Sequence, residues 1–271
     1  MIVATTVLAG LGLVAGLGLA MAAKFFAVET DPRQEEINDV LPAANCGGCG
    51  YAGCNDFAKG VIEGKAPPDG CPVGGPDVAV LVAKIMNLTV EQKVRQVALV
   101  NCQGDDDVAG RKYRYNGMTS CASAALLGGG DKLCSFGCLG LADCQVVCAF
   151  GAIEMTEGGI ARVIPERCTA CGKCVEACPK FLIDMVPETA PIHVLCKSTA
   201  KGGVVRKACK VGCIGCKKCE KFLGENGGMV VTDALSRVDY TNAPTDIGVI
   251  PECPTNSIVE LHLDGKGETV N

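Results

Sequence analysis

Residues 168–180, CTACGKCVEACPK, carry four cysteines followed by a proline, with the spacing C-x2-C-x2-C-x3-C-P. In this spacing three close thiolates wrap the corners of one iron–sulfur cubane, and the fourth reaches a second cluster. Structural zinc sites instead pair two separated C-x-x-C segments, so the crowding favours an iron–sulfur cluster over zinc. The stretch therefore predicts a second run of cysteines that shares ligands with this one.

That second run is CSFGCLGLADCQVVC at residues 134–148, with looser spacing. If each run gives its last cysteine to the other, the two runs predict a two-cluster, ferredoxin-like α+β domain over residues 132–188. The expected ligands of one cluster are Cys134, Cys138, Cys144 and Cys178. The expected ligands of the other cluster are Cys148, Cys168, Cys171 and Cys174. Ala149 replaces the first proline, which predicts altered hydrogen bonding around the first cluster.

A further set of four cysteines begins in NCGGCGYAGC at residues 45–54. The glycines allow tight turns that bring amide N–H groups toward a buried anion. By spacing alone this set suits zinc as well as an iron–sulfur cluster. It predicts a small module over residues 44–90, followed by a connecting segment over 91–131. The expected ligands are Cys46, Cys49, Cys54 and Cys71.

The last set is found through an internal repeat, in which VNC at residues 100–102 is echoed by VLC at 194–196. Each copy continues to a C-x3-C pair, Cys134–Cys138 in the first and Cys209–Cys213 in the second. Leu223 stands where the second copy would need a cysteine to feed another cluster. We therefore expect one cluster in a C-terminal ferredoxin-like unit over residues 189–271, with the strand-like stretch 227–240 inside it. The expected ligands are Cys213, Cys216, Cys219 and Cys253.

These assignments use sixteen of the twenty cysteines, in four sets of four. The remaining four could bind a fifth cluster or zinc, but free cysteine is also a good small buried hydrophobe, and that simpler interpretation is favoured. They are Cys102, Cys121, Cys196 and Cys209. The two histidines, His193 and His262, lie in alternating apolar surroundings typical of strands, so Rieske-type ligation is not indicated.

The N-terminus contains no charged residue from position 1 to 23. A helix of that length would span roughly 34 Å, enough for a bilayer core of about 30 Å. The sequence predicts a membrane anchor over residues 1–27 and a linker or short surface helix over 28–43; a cleaved signal peptide is less consistent with the missing basic n-region. Lys24 and Arg33 follow the helix, which predicts cluster domains on the cytoplasmic side, where cysteines stay reduced.

Charge and motif content argue against several classes of function. The net charge is −5 over 271 residues, and no Lys/Arg-rich face is available to neutralise phosphates, which argues against nucleic acid as a partner. No P-loop, nucleophile elbow or paired-carboxylate constellation stands out, so no catalytic residue is assigned. The chain therefore has the features of a protein that carries electrons one at a time.

The anchor, the four-cysteine module and the ordered ferredoxin repeats together resemble the B subunit of the Rnf complex, an ion-translocating ferredoxin:NAD+ oxidoreductase. The resemblance implies that the set beginning in NCGGCGYAGC holds an iron–sulfur cluster rather than zinc, so four [4Fe-4S] clusters are expected. It also implies a membrane-anchored subunit that accepts electrons from reduced ferredoxin in the cytoplasm. It further implies that these electrons pass through the clusters to other Rnf membrane subunits, with no complete active site on this chain. A polyferredoxin subunit of another membrane oxidoreductase and a zinc-binding interaction protein are the alternatives.

Overall fold

The structure is a computed structural model that describes residues 2–25, 31–91, 93–224 and 226–264. Its first element is helix α1 (Ile2–Phe25). Within these described residues there is no helix whose length and apolarity would let it cross a membrane. This finding does not support the predicted transmembrane segment, although the segment is helical over residues 2–25. Parts of the predicted anchor, linker and C-terminal unit, at position 1, residues 26–30 and residues 265–271, lie outside the described residues.

Three helices form the N-terminal module: α2 (Pro32–Val40), α3 (Cys54–Ile62) and α4 (Gly75–Ile85). The Asp31 carboxylate caps α2 by accepting a hydrogen bond from the Arg33 amide, which satisfies an N–H that the helix leaves free. Ile37 is fully buried and packs with Phe57 and Val82. The segment predicted as a linker or short surface helix is thus a helix of the module itself, because its buried isoleucine completes the module's core.

The middle unit begins at β1 (Gln96–Val100), within the segment predicted only as a connection. Strand β1 pairs antiparallel with the unit's last strand, and Val97 lies opposite Val186. Both valines are fully buried, so pairing of the first and last strands closes the unit around its core. The elements between them are α5 (Cys121–Leu126), α6 (Asp143–Val146), the hairpin β2 (Ile153–Met155) and β3 (Ala161–Val163), then α7 (Lys173–Ala177) and β4 (Ile183–Pro187).

The C-terminal unit repeats this plan in shorter form. Strand β5 (Ile192–Val194) pairs antiparallel with β8 (Ile258–Glu260), as β1 pairs with β4. Between them lie α8 (Gly202–Ala208), α9 (Lys218–Leu223) and the hairpin β6 (Met229–Thr232) with β7 (Leu235–Val238). The predicted α+β ferredoxin-like repeats are therefore observed, and the strand-like stretch 227–240 contains the hairpin β6–β7.

The two units meet along a short backbone contact. Ala109 forms an isolated antiparallel bridge with Cys209. The amide of Lys210 donates to the Val108 carbonyl at 2.9 Å. This contact places the loop after β1 beside the loop after α8, and both loops carry cysteines.

Candidate metal centres

All twenty cysteines are free thiols, and most are buried or half-buried. Four small cavities in the described part of the chain are each lined by four of them, and each has a volume of about 10 to 20 Å³. A fifth group of four lies in the C-terminal unit. The cysteines that lie together in these five groups are not all the ones that spacing groups together.

The first cavity, here the N-terminal site, is lined by the four cysteines that spacing groups together. Turns at Gly47 and Gly50, with φ of 70° and 83°, let the chain fold back between successive cysteines. The Gly74 amide donates to the sulfur of Cys71 at 3.4 Å, the kind of N–H···S contact that stabilises a thiolate ligand. The lining cysteines are Cys46, Cys49, Cys54 and Cys71.

The inner site lies against the core of the middle unit. Amides of Ala98 and Ala152 donate to two of its sulfurs, at 3.4 and 3.3 Å. The Arg95 guanidinium holds the loop in place, because it donates to the carbonyl of Cys168 at 2.7 Å and pairs with Glu188 at 2.8 Å. The lining cysteines are Cys148, Cys168, Cys171 and Cys174. The structure thus brings together the exchanged set predicted for this cluster.

Burial and neighbouring negative charge both raise the pKa of one inner-site thiol, Cys174. Burial raises the pKa of Cys174 to about 11, and negative charge on Cys168 and Cys171 adds to the increase. Negative charges held this close together disfavour one another unless a cation lies among them. A bound iron–sulfur core supplies that positive charge, so the site fits a cluster better than it fits free thiolates.

The central site departs from the prediction. Its lining cysteines are Cys121, Cys138, Cys144 and Cys178. Cys121 thus occupies the place that spacing assigns to Cys134. Burial raises the pKa of Cys144 to about 12, with further contributions from the charges of Cys138 and Cys121.

Asp143 explains how a cysteine so far upstream reaches the central site. Its carboxylate accepts hydrogen bonds from the amides of Cys121 and Ala122, both at 2.9 Å, and from the hydroxyl of Ser120 at 3.0 Å. Asp143 begins α6, one residue before Cys144. The carboxylate therefore ties the start of α5 to the start of α6 and sets two cysteines on one cavity.

Cys134 lies instead in a cavity between the middle and C-terminal units, here the junction cavity. The four cysteines that line it are Cys102, Cys134, Cys196 and Cys209. For three of these the sequence favours the role of a small buried hydrophobe, whereas the structure gathers them around one space rather than scattering them in the core. The repeat is the signal that could have identified them, because Cys102 matches Cys196 and Cys134 matches Cys209.

The C-terminal site is arranged around two serines. The Ser236 amide donates to Cys213 at 3.4 Å, while its hydroxyl lies 3.2 Å from the sulfur of Cys219. Ser257 contacts Cys253 through its amide at 3.3 Å and its hydroxyl at 3.2 Å. Burial acts to raise the pKa of Cys253, but hydrogen bonds from Ser257 and Thr255 outweigh it and leave that pKa below its usual range. Cys216 completes the group, since its charge contributes to the raised pKa of buried Cys219, after desolvation and Cys213.

The described residues contain no group of three or more His, Cys, Asp or Glu side chains close enough together to hold a single metal ion. Cubane clusters are bound differently, because each thiolate takes its own iron at a separate corner. The small thiol-lined cavities and their N–H···S contacts are the features that a cubane requires.

Both histidines make contacts within the folded protein. His193 is fully buried in β5, where its ring nitrogens lie 2.9 Å from the Tyr240 hydroxyl and 2.9 Å from the Ala190 carbonyl. Burial lowers the pKa of His193 to about 4, so the ring is neutral at physiological pH. His262 lies just beyond β8, half exposed and 3.4 Å from Glu260. The predicted strand position of His193 is confirmed, whereas that of His262 is wrong, because β8 ends at Glu260.

Two family profiles match the chain. The Fe-S cluster family matches residues 41–73, which contain the N-terminal site. The 4Fe-4S dicluster domain family matches residues 134–182, which contain the inner site and most of the central site.

Curated relatives extend the similarity to nearly the whole chain. The B subunit of the Na(+)-translocating ferredoxin:NAD(+) oxidoreductase complex of Acetobacterium woodii is 41% identical over 247 residues, 91% of this chain and 74% of that protein. The B subunit of the ion-translocating oxidoreductase complex of Methanosarcina acetivorans is 38% identical, over 93% of this chain and 95% of its own. The corresponding subunit of the proton-translocating ferredoxin:NAD(+) oxidoreductase complex of Clostridium ljungdahlii is 39% identical, over 92% and 88%.

Proposed function

This chain belongs to the family of B subunits of Rnf-type ion-translocating oxidoreductase complexes, and from that membership we propose that it is an electron-input subunit. It accepts single electrons from reduced ferredoxin on the cytoplasmic side of the membrane. It passes them through iron–sulfur clusters to the other subunits of the complex. Hydride formation on NAD+ takes place elsewhere, because it needs a two-electron carrier such as a flavin.

The observation that carries this proposal is the direct contact between cluster sites. Gly48, between two cysteines of the N-terminal site, approaches Cys171 so closely that a Cβ there would lie 3.0 Å from its carbonyl oxygen. The inner and central sites are linked in turn, since Cys144 and Cys148 lie four residues apart but line different cavities. Three sites therefore follow one another in space, as a protein that relays electrons requires.

We propose the following ligands for clusters that supply one-electron carriers when bound. The N-terminal, inner and C-terminal sites keep the sets expected from spacing, and the central site takes Cys121 in place of Cys134. Ser236 and Ser257 hold the C-terminal thiolates in position. Arg95 does the same for the inner-site loop, through the carbonyls of Cys168 and Pro165.

Electron input is tested with the full-length chain, purified anaerobically in detergent and mixed with excess reduced ferredoxin. We expect rapid bleaching of absorbance at about 400 nm, the region of sulfide-to-iron charge transfer, without formation of NADH. The physical reason is that the clusters take up electrons singly, and the chain lacks an assignable flavin or nucleotide motif.

Two outcomes would reject the proposal. Sustained NADH formation by this chain alone would make it a complete enzyme. A colourless, zinc-loaded protein would make it an interaction module instead.

Membrane attachment through α1 is the second part of the proposal. Apolar side chains of the helix are largely exposed, with Leu11, Leu13 and Leu17 at 56–65%. Gly12 and Gly16 form a G-x-x-x-G pattern that suits packing on another membrane helix. An exposed apolar helix followed by basic residues matches the positive-inside pattern of an anchor.

The double substitution Leu13→Arg and Leu17→Arg should release the chain from membranes at alkaline pH. Each arginine costs about 3 kcal/mol at the centre of a membrane-inserted helix. Leu126→Arg is the matched control, because Leu126 is 86% exposed but lies in the middle unit. If the double variant stays with the membrane pellet as the control does, α1 is not the anchor.

A further inference from the structure

We propose that the junction cavity is a fifth iron–sulfur cluster site and that it joins the middle unit to the C-terminal unit. Four cysteines line the cavity, and none of them belongs to the other four sites: Cys102, Cys134, Cys196 and Cys209. The inference rests on the proposed function for the chemical class of its cofactor. It goes beyond that function in the number of clusters and in how they connect.

The repeat supplies the ligands in matched pairs. Cys102 lies two residues after β1, and Cys196 lies two residues after β5. Cys134 and Cys209 each stand four residues before a cysteine of the next site. Each unit therefore contributes two equivalent thiols, so the cavity lies between structurally related halves, where a symmetric four-sulfur site would form.

Two of the four sulfurs lie close to Gly104. A Cβ placed on this glycine would lie 3.3 Å from the sulfur of Cys209 and 3.7 Å from that of Cys102, so a thiol from each unit flanks one point. Any side chain at this position would enter the space between the two sulfurs. Glycine at this position therefore leaves the space between the two units open.

Backbone amides are directed at these sulfurs as they are in the other sites. The amide of Cys138 donates to Cys102 at 3.5 Å, and the amide of Ser198 donates to Cys196 at 3.5 Å. Such N–H···S contacts stabilise anionic cluster ligands and tune the reduction potential.

A buried cation lies beside the cavity. The Lys132 side chain is completely buried, its ammonium donates to the Gly104 carbonyl at 2.6 Å, and Asp106 lies 3.7 Å away. Burying an ammonium is costly unless negative charge accompanies it. The half-exposed Asp106 supplies part of that charge, and thiolates around an anionic cluster would add to it.

The cavity is similar in size to the three other small cavities lined by cysteines. Its volume is about 20 Å³, against about 10, 20 and 20 Å³ for the N-terminal, inner and central sites. Three cavities of this size hold complete sets of four cysteines suited to a cubane. The fourth is similar in volume and in thiol count.

The position of the cavity connects the central site to the C-terminal site. Cys138 of the central site donates its amide to Cys102, and Cys196 packs against the buried cluster that contains Cys219 and Cys253 of the C-terminal site. The junction site therefore touches the central site on one side and the C-terminal site on the other. A single electron passes between neighbouring iron–sulfur clusters without any bond being made or broken.

Metal analysis of the anaerobically purified full-length chain tests this directly. Five clusters of four irons predict about 20 irons and about 20 acid-labile sulfides per chain. About 16 irons would reject the fifth cluster while leaving the proposed function intact, whether or not one zinc accompanies them. A chain without iron would reject both.

Variants locate the additional cluster. Cys209→Ser should lower the iron content by about four per chain and remove one paramagnetic signal of the reduced protein. Val211→Ser, which changes the lining of the same cavity without removing a thiol, should keep all the iron. A Cys209→Ser protein with unchanged iron would overturn the proposal.

Lys132→Met keeps every thiol and so tests the site even if a cysteine variant fails to fold. Because it removes a buried positive charge, it should shift the midpoint potential of one cluster to a lower value at unchanged iron content. Unchanged potentials of all clusters in this variant would contradict a cluster in the junction cavity.

Discussion

Cys121→Ser will remove the cluster of the central site, whereas Cys134→Ser will leave that cluster in place. The reason is that Cys121, and not Cys134, lines the same cavity as Cys138, Cys144 and Cys178. The hydrogen bonds accepted by Asp143 hold Cys121 there. We expect Cys121→Ser to lower the iron content by about four per chain.

Electron paramagnetic resonance of the reduced variants distinguishes the two substitutions, since the clusters lost differ in their surroundings and hence in their signals. Cys144→Ser provides the reference spectrum for loss of the central cluster. The Cys121→Ser spectrum should match it, and the Cys134→Ser spectrum should not. If Cys134→Ser matches the reference instead, spacing assigns the ligands correctly and the cavity lining is misleading.

Gly48→Val will slow electron exchange between the N-terminal cluster and the inner cluster without loss of iron. Gly48 meets the carbonyl oxygen and Cβ of Cys171 at 3.0 and 3.1 Å from an ideal Cβ position. These contacts include backbone atoms, so a larger side chain must push the N-terminal module away from the middle unit. A wider gap between clusters lowers the rate of electron transfer.

Freeze-quenched paramagnetic resonance after mixing with a reductant measures this exchange. Ala52→Val is the control, because it adds the same type of bulk at an exposed position of the same loop. Exchange as fast as in the control would show that the Gly48 contact does not carry electrons. A loss of about four irons would show damage to the N-terminal site itself.

Spacing in the sequence predicts which cysteines line one cavity when they all lie close in sequence or in two runs that exchange a cysteine. The runs 134–148 and 168–180 place Cys148 with Cys171 because the ferredoxin pattern fixes that exchange in its own short loops. The C-terminal hairpin is equally accessible from sequence, since alternating apolar residues at 229–238 bury Met229 and Leu235.

Spacing does not reveal which cysteines tertiary contacts bring to a cavity. Nothing near Cys121 in the sequence points to the central site, because the hydrogen bond that brings it there is accepted by Asp143, at the start of the next helix. Strand β1 likewise falls in a predicted connection, since its partner β4 lies more than eighty residues away. Ile37 falls in a predicted linker because so few apolar residues give no periodic signal.

The measurement that tests the central claim most directly is an anaerobic reductive titration of the full-length chain, with electrons counted against iron. A series of five one-electron clusters predicts uptake of about five electrons per chain, one for every four irons, with bleaching at about 400 nm throughout. Uptake of about four electrons would remove the junction cluster from the series. Uptake in pairs, or no uptake by a colourless protein, would contradict the account of this chain as an iron–sulfur electron relay.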